Sequence, residues 1–200
     1  MRSLHLAIFA VALAALSTAA DAQRRQPIGP YAEGGAVFVA LDGRGFNGID
    51  DGVGFDVVGG YAFGPFMLGV GLQRSSHDVD DVSSNVNLDV AFVEPRYEFD
   101  LGAGTVTPFL LGRFGRVQEK LESATRTFEA DGYLFGAGAG MRLQVAPALS
   151  FTLSGLYSRL AIDDVVASGS ASPGSDVGGS SLVARAGFAF RFGQRSQRGR

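Results

Sequence analysis

The chain has no cysteine and no tryptophan, and only 18% of its 200 residues are charged. Without cysteine there is no disulfide framework, no thiol nucleophile, no thiolate metal ligand and no lipid-modified mature N-terminal cysteine. The charge is also unpolarised. Lys and Arg total 17 against 20 Asp and Glu, a net charge of −3. A nucleic-acid binder would gather its bases on one face, so no nucleic-acid partner is expected. Long apolar runs are missing after the first segment, which excludes an ordinary transmembrane helix there. Helical periodicity is also scarce.

The first segment reads as a leader. Arg2 precedes an apolar stretch from Leu4 to Leu16, broken only by His5, and small residues end in Ala20-Asp21-Ala22. A basic start, an apolar middle and an Ala-x-Ala end mark a secretory signal peptide. Residues 1–22 are therefore expected to be removed by cleavage after Ala22.

What is abundant is glycine, at 29, and phenylalanine, at 16. With no low-complexity repeat, this suits a sheet with tight turns and close backbone approaches. Apolar residues alternate with a period of two, interrupted by Gly, Pro, Asp and Ser. Near the end, Leu182, Ala184, Ala186, Phe188, Phe190 and Phe192 share one face; Ser181, Val183, Arg185, Gly187, Ala189 and Arg191 share the other. The same contrast separates Phe151, Leu153 and Tyr157 from Ser150, Thr152 and Ser154. It also separates Tyr133, Phe135 and Met141 from Gly136, Gly138, Gly140 and Arg142. Phe55, Val57, Tyr61 and Phe63 oppose Asp56, Val58 and Ala62, and Phe66, Leu68, Val70 and Leu72 oppose Met67, Gly69, Gly71 and Gln73. A first strand is expected near Tyr31 to Leu41, a fourth over Val86 to Phe99 and a fifth over Thr105 to Gln118. In the fourth, Val86, Leu88, Val90 and Phe92 are even but Tyr97 and Phe99 are odd. Pro95 cannot donate to a ladder, so a bulge is expected there. The facing of the fifth strand is left open.

The connections alternate in length. Gly64-Pro65, Asp100 to Gly104 and Ala146 to Ala148 are short. Asp42 to Gly54, Arg74 to Asn85, Glu119 to Asp131 and Ala161 to Ser180 are long. This rhythm predicts an all-β, eight-stranded antiparallel up-and-down barrel over residues 23–192, with a basic tail at 193–200. Membrane barrels have short periplasmic turns and long external loops, so both mature termini are expected in the periplasm. Three features favour a transmembrane barrel over a soluble one: uniformly apolar outer faces, small or charged opposite faces suited to a narrow lumen, and aromatics near strand ends. Phe63, Phe66, Phe109, Phe151 and Phe192 would form one girdle, and Phe55, Tyr133 and Tyr157 the other.

The last strand, Arg185-Ala186-Gly187-Phe188-Ala189-Phe190-Arg191-Phe192, resembles the C-terminal sorting signal of outer-membrane barrels. Arg185, Gly187, Phe190 and Phe192 hold the signal positions. The layout resembles the small porin-like, OmpA/OmpX-type barrel family, as do Glu94-Pro95-Arg96-Tyr97 and Tyr133 to Gly140. The resemblance implies outer-membrane localisation in a Gram-negative envelope, insertion by the barrel-assembly machinery, and contact with outer-membrane lipids and lipopolysaccharide. A structural or surface-interaction role through the long loops is expected, with an unidentified loop partner. A narrow porin or small-solute channel is the alternative, and a lipid-modifying enzyme is less favoured.

Sequence chemistry favours no catalysis. His77, in Ser75-Ser76-His77-Asp78, reads as a solvated loop histidine, and adjacency is not a triad. Asp50, Asp51, Asp78, Asp80, Asp81, Asp163 and Asp164 read as solvated acidic loops without calcium-loop spacing. No metal or cofactor is expected. The charges with a structural task are inside: Glu94, Arg96, Arg142, Arg185 and Arg191 as an interior cluster, with Glu98 a further inward partner. Arg113, Arg116 and Arg159 are unassigned. A lumen filled in this way leaves no wide pore.

Overall fold

The computed structural model describes residues 28–43, 46, 49–78, 85–101, 105–123, 126–167 and 170–192. The expected leader, residues 1–22, and the basic tail, 193–200, lie outside the described residues. Eight strands run β1 (Ile28–Asp42), β2 (Gly52–Phe63), β3 (Phe66–Asp78), β4 (Asn85–Glu98), β5 (Val106–Ser123), β6 (Arg126–Gln144), β7 (Leu149–Ala167) and β8 (Ser170–Arg191). Each pairs antiparallel with the next, and β8 closes onto β1, from Tyr31 opposite Arg191 to Asp42 opposite Ser180. Closure leaves no strand edge unpaired, which hydrocarbon requires.

The expected alternation of short and long connections is not kept, because two expected long loops are largely strand, which leaves two residues between β5 and β6 and two between β7 and β8, fewer than separate β4 from β5. In β5 and β6 the pairing continues to Ser123 opposite Arg126, and in β7 and β8 to Ala167 opposite Ser170. The segments Glu119 to Asp131 and Ala161 to Ser180 are thus long hairpins. Their polarity reads as loop because strands beyond the apolar belt need no apolar face. At the opposite end, Phe63 pairs with Phe66 across Gly64-Pro65. Gly64 has φ 71°, a left-handed conformation that glycine adopts without cost.

The expected facing holds for β2, β3, β6, β7 and β8. Phe55, Leu72, Tyr133, Tyr157, Leu182 and Phe188 are exposed on the outer wall; Asp56, Gln73, Leu134, Ser158, Val183 and Arg185 are buried inside. The fifth strand takes the same form, with Phe109, Leu111, Arg113 and Val117 inward and Leu110 and Phe114 outward. Phe109 is therefore an interior residue and not part of a girdle. Outward aromatics do ring the short-turn end: Phe66 meets Tyr97 and Tyr97 meets Phe99 at centroid distances of 4.9 Å, and Phe151 meets Phe188 at 5.5 Å.

The fourth strand corrects the sequence reading twice. There is no bulge at Pro95. Val93 pairs with Phe114 and Arg96 with Leu111, so the register to β5 resumes unshifted after Pro95. The register irregularities lie instead at Asp131/Gly132 and between Ile162 and Asp164. Nor does parity slip. Val86, Leu88, Val90 and Phe92 point inward, and Glu94, Arg96 and Glu98 continue the same inward face. What changes along β4 is the chemistry of the lumen.

Candidate functional site

The barrel interior is filled in two tiers. From mid-barrel toward the short turns it is ionic. Glu33 of β1, Asp56 of β2 and Glu94 of β4 face Arg96 of β4, Arg113 of β5 and Arg185 of β8. Arg96 donates to Glu33 at 3.0 Å and to Glu94 at 2.8 Å. Arg113 donates to Glu94 at 2.7 Å through Nη2 and to Gln73 at 2.7 Å through Nη1. Arg185 lies 2.8 Å from Glu33 and 2.9 Å from Asp56, and Thr152 donates to Glu33 at 3.0 Å. Nearer the turns, Arg142 grips Glu98 through Nε and Nη2, and Arg191 donates to both oxygens of Glu98 at 2.7 Å.

All these groups are buried. Charges withdrawn from water are tolerated only when paired and hydrogen-bonded. The guanidiniums also use their faces, Arg96 stacking 4.3 Å over Phe109 and Arg113 3.8 Å over Phe92, a cation–π arrangement. Inner glycines make room: a Cβ on Gly71 would lie 2.5 Å from the Phe92 ring.

The structure thus places Glu94, Arg96, Arg142, Arg185 and Arg191 inside the barrel, with Glu98 beside them. Glu33, Asp56 and Arg113 join them. Sequence reasoning missed Glu33, and it put Asp56 on the inner face without counting it in the charge cluster. Arg116 and Arg159 face outward. Gly187 is also buried on the inner face, while Phe190 and Phe192 meet edge to face at 4.9 Å on the outer wall.

Toward the long hairpins the interior is mainly apolar, with Ser75, Ser158 and Ser181 buried among the hydrocarbon. Val39, Leu88, Val90, Val117, Leu134 and Leu160 fill it, and Phe46 from the β1–β2 connection caps it at 4% exposure. His77 belongs to this mouth. It is a strand residue, 1% exposed, and not the solvated loop residue expected. Its Nδ1 donates to the Asp50 carbonyl at 2.9 Å, since a carbonyl can only accept. In the neutral ring Nε2 then accepts from Ser75 Oγ at 3.0 Å. Asp50 N in turn donates to Asp78 O at 2.9 Å, so the β1–β2 connection is latched to the end of β3. A Cβ on Gly52 would meet the imidazole at 2.5 Å, which explains a glycine there. The outward neighbours of His77 are Ser76 and Asp78, above the belt's edge at Arg74. Burial lowers the His77 pKa below 6.5, opposed by the Asp50 hydrogen bond and the charges of Asp51 and Asp78.

The Ser75–His77 pair lacks a third, carboxylate member among the described contacts, and the apolar slot below it holds only 20 Å³. Asp50 and Asp78 contribute backbone bonds to the latch, while Asp80 and Asp81 lie outside the described residues.

The chain matches the family model for the outer membrane protein beta-barrel domain over residues 8–192. None of the curated proteins matches it. Among solved structures, Neisserial surface protein A (NspA) aligns with a TM-score of 0.63 at 18% identity, covering 82% of this chain and 97% of that one. Ail, the attachment invasion locus protein of Yersinia pestis, aligns at 0.51 and 15%, covering 81% and 99%. OprG, an outer membrane protein from Pseudomonas aeruginosa, aligns at 0.51 and 12%, covering 84% and 98%. At these identities the structures speak for the fold.

Proposed function

The chain belongs to the outer membrane protein beta-barrel domain family and is an integral outer-membrane barrel, and from that premise we propose that it is a sealed barrel whose working parts are its long hairpins. The observation that carries this reading is the doubly filled lumen. An ionic tier and an apolar tier stand in series, and eight strands leave an interior just wide enough for side chains. Passage of a solute would require breaking buried ion pairs and wetting an apolar constriction.

In this reading residues 1–22 are a cleaved signal peptide and the chain is inserted by the barrel-assembly machinery. Arg185, Gly187, Phe190 and Phe192 form the recognised strand. Both mature termini and the basic tail are periplasmic, and the hairpins β5–β6 and β7–β8 project outward. Phe190 and Phe192 suit an assembly signal because they stand on the accessible wall. The interior cluster of Glu94, Arg96, Arg142, Arg185 and Arg191 is structural, and the protein is not an enzyme. Surface contact suits the projecting hairpins, and two of the structural neighbours carry surface or attachment in their names.

The test is conductance of the folded protein in planar bilayers. The expected result is no stable solute-sized step. Continuous conductance would overturn the sealed-barrel reading in favour of a narrow channel.

A further inference from the structure

Along the hairpin-side edge of the apolar belt, outward charges on four successive strands alternate in sign: Arg74 on β3, Asp89 on β4, Arg116 on β5 and Asp131 on β6. The row is balanced. Arg74 holds Asp89 at 3.3 Å and Arg116 holds Asp131 at 3.7 Å. Both pairs are exposed, so they contribute little to the barrel's own stability and can exchange partners. Turnward of them the outer wall has a recess of 460 Å³, with Val57, Leu72 and Ala91 in its lining and Asp89 and Arg116 at its edge. Beside it on β5 stands Phe114, outward and 58% exposed.

One patch thus carries a positive and a negative charge, a hollow and a knob, and the strand register relates them. β4 and β5 are antiparallel, with Ala91 opposite Arg116 and Val93 opposite Phe114. Going toward the short turns, Ala91 is the next outward residue after Asp89 on β4, and Phe114 the next after Arg116 on β5. A two-fold axis along the membrane normal, set at the β4–β5 seam, exchanges the two strands. It brings Asp89 against the partner's Arg116 and, by the same step, Phe114 over the partner's Ala91. Such a contact is isologous, each copy giving what it receives. Lipid tails are as apolar as the side chains they replace, so association in a membrane relies on close packing at small residues and on polar pairing. This patch offers Ala91 for the first and Asp89 with Arg116 for the second.

We propose that this face, centred on Asp89, Ala91, Phe114 and Arg116, is a homodimer interface, with the partner's Phe114 seated in the recess. The inference goes beyond the sealed-barrel reading. It holds whichever end of the barrel faces outward, since the two copies share one orientation.

The test is energy transfer between donor- and acceptor-labelled copies of the full barrel in phosphatidylcholine vesicles. The chain has no cysteine, so Ser76→Cys, outward on β3 and outside the recess lining, gives a single labelling site. Copies altered only there should show transfer that falls as added lipid dilutes them. D89R sets arginine against arginine across the axis, and R116D sets aspartate against aspartate, so each alone should lose the transfer. Mixed with each other they should regain it, because D89R then presents two arginines to the two aspartates of R116D. Phe114→Ala should weaken association by at least about tenfold, since a two-fold contact loses the side chain twice. Heat-dependent gel migration checks that each variant is folded. Transfer in the unaltered pair no higher than in D89R alone would mean that lipid tails fill the recess, and would overturn the proposal. Failure of the D89R and R116D mixture to regain transfer would overturn it equally.

Discussion

Toward the short turns the interior of this barrel is organised by ion pairs, and toward the long hairpins it is mainly hydrocarbon. The same strands contribute to both tiers: β4 supplies Leu88 and Val90 to one and Glu94 and Arg96 to the other. The two solutions differ in how they fail. Apolar packing is non-directional, and its loss scales with the area and volume removed. An ion network is directional, and its desolvation cost is offset only while every member has a partner. The ionic tier also draws on six strands, β1, β2, β4, β5, β6 and β8. A one-residue slip of any of them would turn its charge to the outer wall. The ionic tier therefore fixes register, while the apolar tier closes the mouth.

The largest effect is expected in the ionic tier. Glu94 accepts from Arg96 and Arg113 and lies 3.5 Å from Arg185. Glu94→Ala leaves three buried guanidiniums facing only Glu33 and Asp56. It should destabilise the barrel by about 3–5 kcal/mol, the usual cost of breaking a buried pair, read by urea unfolding with heat-dependent gel migration. A loss below about 1 kcal/mol, the worth of an ordinary exposed pair, would mean that water, and not protein, solvates this tier.

A smaller effect is expected from the apolar tier. Leu88 is 3% exposed among Val90, Val117 and Leu160. Leu88→Ala should cost about 2–3 kcal/mol through reduced apolar burial and the cavity left behind, in the same assay. Were the two substitutions equal, the contrast between directional and non-directional closure would lose its energetic basis.

The strands β2, β3, β6, β7 and β8 are legible in the sequence because their outer faces meet lipid and must be apolar, while small or polar residues lie opposite. β4 misleads for a physical reason. Its inner face is apolar from Val86 to Phe92 and charged from Glu94 to Glu98, so a change in the lumen imitates a change of face. Hydropathy alternation cannot tell an apolar lumen from an apolar exterior. β5 is opaque for the same reason, carrying Phe109 and Leu111 inward and Leu110 and Phe114 outward. Beyond the belt no face is obliged to be apolar, so the hairpin strands and the end of β3 read as loops, and His77 with them. Much of the interior charge cluster is visible as charge that lipid would exclude. Its remaining partners are not, because Glu33 meets Arg96 across 63 positions of chain and only register brings them together.

The smallest effect concerns the latch over the apolar tier, and it carries a sign. His77 is held neutral by burial, with a folded-state pKa below 6.5. The unfolded chain therefore binds the proton more readily, and stability rises with pH across that interval. The latch contribution is fully present above pH 6.5 and is lost as pH falls through the folded-state value. His77→Gln has no ring to titrate. It should cost about 1 kcal/mol at neutral pH, the net worth of a hydrogen bond, and flatten the dependence of stability on pH below 6.5. Because the latch ties the β1–β2 connection at Asp50 to the end of β3, acid should also raise proteolysis of that connection in wild type and not in His77→Gln. Acid-induced cleavage that is identical in the two proteins would separate closure of the mouth from the imidazole. Phe46 and the apolar tier would then hold the cap alone.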